Sequence, residues 1–367
     1  MDSDLIFKIG LGLIPNVGSV TGKKLISYCG SAEEVFHAKF NFLTKIPDIG
    51  EIIARSIVNQ KILSRAEEEI RFIEKNNITP LFYLDKGYPY RLKQCEDGPM
   101  MIFYKGNADL SNKKIISIVG TRSATDYGKR ICRDIITGLI KQDIIIVSGL
   151  AYGIDICAHK IALELGIPTI GVVAHGLDMI YPSLHKPVAD KMIEKGGIIT
   201  EFLSNTNPDR ENFPARNRII AGLSDATLVI ESKAKGGALI TADIANSYDR
   251  DVFAVPGRAD DTFSSGCNTL IKSNKAALVE SAADIEYLMQ WNIDTTKAKK
   301  AMQTELFLEL TENEKKILRI IKEVENIDID NICIKSGLVQ GKVISILLNL
   351  ELYGLILSLP GKVYKIN

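Results

Sequence analysis

Ile115-Ile-Ser-Ile-Val119-Gly120-Thr-Arg-Ser-Ala-Thr-Asp-Tyr-Gly128 joins a short apolar, β-branched run to a glycine-opened turn, with helical sequence beyond it. A run of this kind, apolar without strict alternation, suits a strand buried on both faces. The same grammar recurs at Ile144 to Val147, Thr169 to Val173, Ile198 to Thr200, Thr227 to Ile230 and Val252 to Val255, always with helical stretches between. Alternation of this sort from 115 to about 280 predicts an α/β fold, a doubly wound and mostly parallel sheet.

Outward from that core the pattern changes. Residues 1–75 read as short helices broken by two look-alike turns, Ile14-Pro-Asn-Val-Gly18 and Ile46-Pro-Asp-Ile-Gly50, each followed by an apolar helix. Two strand-like runs, Thr79 to Leu84 and Met100 to Tyr104, lead into the sheet domain, assigned to 76–291 with its core at 115–280. The polar stretch 292–304 reads as a linker. Residues 305–367 form a last domain: a helix opened by Thr311 with Glu314 three residues on as a capping box, a short helix, a helix from Gln340 to Leu352, and two strands around Pro360-Gly361. Three helices followed by two strands predict a winged helix.

Composition bounds the function. At 367 residues, 46% hydrophobic and 25% charged, the chain is globular and long enough for two or three domains. Lys plus Arg equals Asp plus Glu at 45 each, so any basic surface is local. Cys29, Cys95, Cys132, Cys157, Cys267 and Cys333 are scattered without CxxC spacing, which suits reduced thiols and neither a disulfide framework nor a zinc site. The start, Met-Asp-Ser-Asp, lacks a signal peptide's basic region, and no apolar run reaches membrane-spanning length. A soluble cytoplasmic protein is expected.

In doubly wound sheets ligands bind beyond the carboxyl ends of the strands, so the turns after each run carry the chemistry. The first, Gly120-Thr-Arg-Ser123, lacks both the dinucleotide and the P-loop glycine patterns, and neither NAD binding nor ATP hydrolysis is expected. It offers backbone N–H groups opened by Gly120, hydroxyls at Thr121 and Ser123, and Arg122 for bidentate phosphate contact. In Ser148-Gly-Leu-Ala-Tyr-Gly-Ile-Asp155, Gly149 and Gly153 permit close backbone approach. Asp155 and His159 stand four apart, as an acid/base dyad or as hydrogen-bonding partners holding the loop; no nucleophile accompanies them. Lys186 opens a helix after the third run. In Glu231-Ser-Lys-Ala-Lys-Gly-Gly-Ala-Leu-Ile-Thr-Ala242, Gly236 and Gly237 precede a helix start, flanked by Lys233 and Lys235, with Thr241 one turn in.

Phe213-Pro-Ala-Arg-Asn-Arg-Ile-Ile-Ala-Gly-Leu-Ser224 adds two cations and an amide to another helix start, with Pro214 suited to its first position. Arg216 and Arg218 lie two apart and cannot share a face, which leaves Arg218 to a salt bridge or an outer contact. Summed, these cradles describe a site for phosphates. A string of them near Tyr127, Tyr152, Tyr181 and Phe213 suits a single strand whose phosphates track a basic groove while bases stack.

The order Ile-Val-Gly-Thr-Arg122, Ser-Gly-Leu-Ala-Tyr-Gly-Ile-Asp155, Gly-Leu-Asp-Met-Ile-Tyr-Pro182, Phe213 to Ser224, Gly-Gly-Ala-Leu-Ile-Thr-Ala242 and Val-Pro-Gly257 resembles the bacterial DNA processing protein A family, DprA or Smf. The resemblance implies an extended Rossmann-like domain with a helical region before it and a winged helix behind. It also implies a non-catalytic protein that binds and protects single-stranded DNA and loads RecA recombinase during natural transformation. A homodimer is implied, with single-strand-binding protein as a further candidate partner and no cofactor, metal or membrane. Matched by position, Arg122, Lys186, Arg216, Arg218 and the Gly-Gly-Ala-Leu-Ile-Thr loop correspond to the family's DNA-facing pocket, with Gly236 where the family usually has Ser. The two Ile-Pro-x-x-Gly turns resemble helix-hairpin-helix units in which Asn16 and Asp48 replace the first Gly.

The competing reading is an enzyme of a related Rossmann-like group that cleaves nucleoside monophosphates. Its pattern places a catalytic Glu after a Pro-Gly-Gly-x-Gly-Thr turn, whereas here the loop continues Ala-Leu-Ile-Thr-Ala242. A duplex-DNA regulator is disfavoured because the helix 340–350 carries little positive charge beyond Lys342, too little for base reading.

Overall fold

A computed structural model describes residues 3–111, 113–291, 310–324, 327–353, 355–359 and 363–366. The linker expected at 292–304 and the Pro360-Gly361 turn lie outside the described residues. The chain divides into two compact units, Met1–Asn292 and Ile293–Asn367.

The first unit opens with α1 (Ser3–Leu13), α2 (Ser19–Cys29), α3 (Ala32–His37), α4 (Phe40–Leu43), α5 (Glu51–Val58) and α6 (Leu63–Lys75). Both look-alike turns place their polar residue in the left-handed region, Asn16 at φ 67° and Asp48 at φ 63°. Asn and Asp tolerate that region because a short polar side chain offsets part of the steric cost, so they replace Gly there without unmaking the hairpin. The helices share a core with the strand residues Phe82, Met101 and Phe103, and so belong to the same unit as the sheet.

The sheet comprises β1 (Thr79–Phe82), β2 (Met101–Gly106), β3 (Lys114–Val119), β4 (Ile144–Ser148), β5 (Thr169–Val172), β6 (Gly196–Thr200), β7 (Ala226–Val229), β8 (Asp251–Ala254) and β9 (Ala277–Leu278). Its order is β1-β2-β6-β5-β4-β3-β7-β8-β9. From β6 to β9 every neighbour is parallel, while β1 and β2 add an antiparallel edge. The lead-in runs are therefore strands of the sheet itself. Along β3 the side chains split between two cores: Ile115 and Val119 face one, Ile116 and Ile118 the other.

Crossover helices cover both faces. They are α8 (Asp126–Gly138), α9 (Ile154–Glu164), α10 (Lys186–Glu194), α11 (Asn212–Leu223), α12 (Gly237–Ser247), α13 (Ser265–Lys272) and α14 (Ala282–Leu288), preceded by the short α7 (Tyr90–Lys93). Helices α8, α9 and α14 pack on one side and α11 and α12 on the other, the doubly wound arrangement.

The second unit holds α15 (Glu312–Lys322), β10 (Ile327–Asp328), α16 (Ile329–Ser336), α17 (Gln340–Leu352), β11 (Ile356–Leu359) and β12 (Val363–Ile366), with Thr311 and Glu314 forming the expected capping box. Strand β10 pairs with β12, giving a third strand where two were expected. Helix α17 exposes Ile344 and Leu348. Among the described residues no single helix is long and apolar enough to cross a membrane.

Candidate nucleic-acid interface

Strand order reverses between β3 and β7, because β3 leads by one crossover to β4 on one side while β7 begins the other half. Loops leaving the carboxyl ends of these two strands diverge and leave a crevice. A cleft of about 660 Å³ opens there. It gathers Gly120, Thr121 and Arg122 from the turn after β3, Phe213, Arg216 and Asn217 from α11, and Gly236, Gly237 and Thr241 from the start of α12. Ser123, Gly149, Gly153, Lys186 and Arg218 do not line it.

The turn after β3 uses several of its backbone donors internally. Thr121 N donates to Glu231 O at 2.8 Å, Ser123 N to Thr121 Oγ1 at 3.2 Å, and Thr125 N to the Glu231 carboxylate at 3.0 Å. The Thr125 hydroxyl also donates to Glu231, which is only 1% exposed. A Cβ at Gly128 would come within 2.3 Å of that carboxylate. The N-terminus of α8 thus already holds the protein's own anion, and of the cradle expected at 120–123 the Thr121 and Ser123 amides are taken while Gly120, Thr121 and the exposed Arg122 line the cleft.

Gly149 and Gly153 admit protein, and no ligand. A Cβ at Gly149 would stand 2.2 Å from Arg216 Nη1, and one at Gly153, whose φ is 79°, would stand 2.1 Å from Thr121 O. Arg216 is buried and donates through Nη1 to Gly149 O (2.5 Å) and Val172 O (2.6 Å), tying α11 across the ends of β4 and β5. Burial, and secondarily Arg122, lowers its pKa to about 10 while Asp155 opposes the shift, so it stays cationic at neutral pH. Its Nε is buried without a partner.

Asp155 accepts from Gly149 N at 3.2 Å and Ala151 N at 3.4 Å, and burial raises its pKa against the pull of Arg216. His159 turns instead to Thr169 Oγ1 at 2.7 Å. Because that hydroxyl donates to Ile146 O at 3.0 Å, the imidazole must donate from Nδ1. Asp155 and His159 therefore form no dyad: the acid holds the loop and the imidazole braces the sheet.

The start of α12 is different. Gly236 caps it with no side-chain hydrogen bond, and beyond Gly237 a Cβ would meet nothing within 4 Å. The first N–H groups of this helix face the cleft with its positive dipole end. A Cβ at Gly236 would lie 2.4 Å from Ser232 Oγ, so a cleft-lining hydroxyl from the neighbouring strand end occupies the space of the side chain missing at 236.

Around this opening stand Arg122, Arg210, Arg216, Lys233 and Lys235, against the single lining carboxylate of Asp155. Phe213 lies beneath two of the cations, 5.5 Å from Arg122 and 5.7 Å from Arg216, and 6.5 Å from the Tyr181 ring. Pro214 sits at the third position of α11, not the first, since the helix starts at Asn212. It still costs no hydrogen bond there, because the first four N–H groups of a helix lack intrahelical partners. Arg210, just before α11, was missed by sequence reading; its only signal was a cation two residues before a helix start.

Other expected members stand outside the cleft. Arg218 pairs with Glu201 and donates to Asp97 O, taking the salt-bridge alternative. Lys186 is exposed at the start of α10 and does not line the cleft. Tyr127 donates to Pro256 O at 2.9 Å and Tyr152 packs edge-on to His185, so of the aromatic residues named above only Tyr181 and Phe213 line the cleft. The described residues include no group of three or more His, Cys, Asp or Glu able to hold a metal ion.

Comparison with known proteins accounts for most of the chain. The family model described as DNA recombination-mediator protein A matches residues 79–290, a helix-hairpin-helix motif matches 6–60, and the DprA winged helix domain matches 305–362. Protein Smf of Synechocystis is 33% identical over 99% of both chains. The DNA processing protein DprA of Streptococcus pneumoniae is 42% identical over 55% of this chain and 71% of its own. Its X-ray structure superposes with a TM-score of 0.65 at 32% identity, covering 76% of this chain and 95% of that one. The structure of DNA processing protein A from Helicobacter pylori, described for its single-stranded DNA binding mode, gives a TM-score of 0.53 at 28% identity over 58% of this chain and 95% of its own.

Proposed function

Since the chain belongs to the DNA recombination-mediator protein A family, DprA or Smf, we propose that it binds single-stranded DNA in the cleft between β3 and β7 and acts there without catalysis. The observation that carries this reading is the uncapped N-terminus of α12 in a cleft lined by Arg122, Arg210, Arg216, Lys233 and Lys235 against the single carboxylate of Asp155. Free backbone N–H groups at a helix start, together with nearby guanidinium and ammonium groups, favour a phosphate through the positive dipole end and charge-assisted hydrogen bonds. Arg122, Lys233 and Lys235 extend the positive surface outward, and Tyr181 and Phe213 offer faces on which bases stack. Protection of incoming DNA, loading of RecA recombinase, contact with single-strand-binding protein, and a homodimer presenting two clefts to one strand complete the proposal. The family resemblance supports these last functions.

Arg122 is the side chain to test, because it is exposed and its loss leaves no orphaned core groups. Fluorescence anisotropy with oligo-dT should show tighter binding than to duplex of equal length, with log K falling by about 0.7 per phosphate contact for each decade of salt. Arg122→Ala should weaken binding about tenfold, equally for all sequences, since phosphate contacts carry no sequence information. A duplex preference or a salt-independent affinity would overturn the reading, and release of free base from nucleoside monophosphates would revive the enzyme.

A further inference from the structure

We infer that α6 positions the rim of the DNA cleft: Arg65 and Glu69 clamp Ser204, and through it hold the loop 201–211 that carries Arg210. This rests on the cleft being the single-stranded DNA site. Helix α6 falls between the matched helix-hairpin-helix motif at 6–60 and the family model at 79–290.

The sequence Arg65-Ala-Glu-Glu-Glu69 reads as a solvated acidic run, and Glu67 and Glu68 are indeed exposed. Glu69 departs from that pattern. It sits on the buried stripe with Ala66, Ile70 and Ile73 and is 2% exposed. A carboxylate taken out of water is strongly disfavoured unless hydrogen bonds and a counter-charge replace hydration, so its partners identify its purpose. They converge on one residue. Glu69 accepts from Ser204 N at 3.0 and 3.2 Å and from Ser204 Oγ at 2.5 Å. Arg65 Nη2 donates to Ser204 O at 2.7 Å, to Ser204 Oγ at 3.0 Å and to Glu69 at 2.8 Å. Every polar group of Ser204 is thereby held from α6.

The loop is pinned from the opposite side as well. Gly176 N donates to Thr206 O at 3.1 Å and Asn205 N to Asp178 Oδ1 at 2.9 Å, both from the loop that leads to Tyr181. Beyond this fixed point the chain runs through Pro208 and Arg210, both lining the cleft, with Asn212 Nδ2 reaching back to Asn207 O at 3.0 Å. Ser204 is thus the anchor from which the rim is built. The helical region contributes to DNA binding through this clamp.

The test is a double-mutant cycle on the full chain with oligo-dT, comparing wild type, Glu69→Gln, Arg210→Ala and the double variant. Glu69→Gln turns an acceptor toward the loop into a partial donor, and each single variant should weaken binding about tenfold with the salt slope reduced by about 0.7. If Glu69 acts through Arg210, the double variant should bind within about twofold of the weaker single variant. Multiplying effects, or a Glu69→Gln slope equal to wild type, would overturn the clamp as a positioning device. Hydrogen exchange supplies an arm independent of DNA. Amides of 201–211 should exchange faster in Glu69→Gln, and more mildly in Ser204→Ala, which keeps the carboxylate on the backbone N–H; unchanged exchange would overturn the inference. Should wild type bind no oligo-dT, the reading of the cleft fails while the exchange arm still decides the clamp.

Discussion

The helix starts at α8 and α12 look alike as sequence, each a strand followed by a glycine-bearing turn, yet one is closed and the other open. At α8 the buried Glu231 accepts from Thr125 N and Oγ1 and fills the space beside Gly128. At α12 no side chain caps the helix, and Gly237 faces empty space. The α9 start is a third case, filled by Arg216 and by the backbone of Thr121 and Arg122. A glycine before a helix therefore marks a close approach, and only the approaching group distinguishes a ligand cradle from a packing joint.

The largest expected effect breaks the closed case. Glu231→Ala should cost about 3 kcal/mol in denaturant unfolding, the worth of charge-assisted bonds at a helix N-terminus whose donors are left unsatisfied. An unchanged midpoint would mean the carboxylate does not cap α8. Smaller at each single pH unit is an acid effect on the filled case. Burial, with His185 and Arg216 nearby, lowers the His159 pKa to about 3 from an ordinary 6.5, so the native imidazole is neutral while the unfolded one takes up a proton. Its stabilisation is present above pH 6.5 and is lost as pH falls toward 3, at about 1.4 kcal/mol per pH unit. His159→Gln should flatten the acid limb of the stability curve by that slope; parallel limbs would refute the assignment. The smallest effect contrasts the two glycines directly. Gly128→Ala should destabilise by about 1–2 kcal/mol as its Cβ meets Glu231, whereas Gly237→Ala should be close to neutral. Equal costs would erase the distinction between closed and open starts.

Much of the fold was legible from local pattern. Uninterrupted apolar runs such as Ile144 to Val147 are strands because only a doubly covered sheet buries them on both faces, and Thr311 with Glu314 marks a helix start because the two side chains satisfy each other's backbone donors. The site was legible in part. Arg122, Arg216 and the Gly236-Gly237 turn converge as expected, while Lys186 and Arg218 do not, and Arg210 and Glu69 went unseen. The winged helix shows the same division. The exposed Ile344 and Leu348 of α17 match a recognition helix poor in base-reading side chains.

The sequence by itself determined the alternation of strands and helices, the hairpin turns and the winged helix, since these depend on neighbours a few residues apart. It also determined that cations and glycines gather at strand ends. Only the tertiary structure decided where strand order reverses, that β1 and β2 extend the sheet, and which helix start stays open. Those outcomes depend on groups more than 60 residues apart in sequence, Glu231 against Thr125 or Arg216 against Gly149. Such pairs share no local periodicity, and burial alone makes their partnership obligatory.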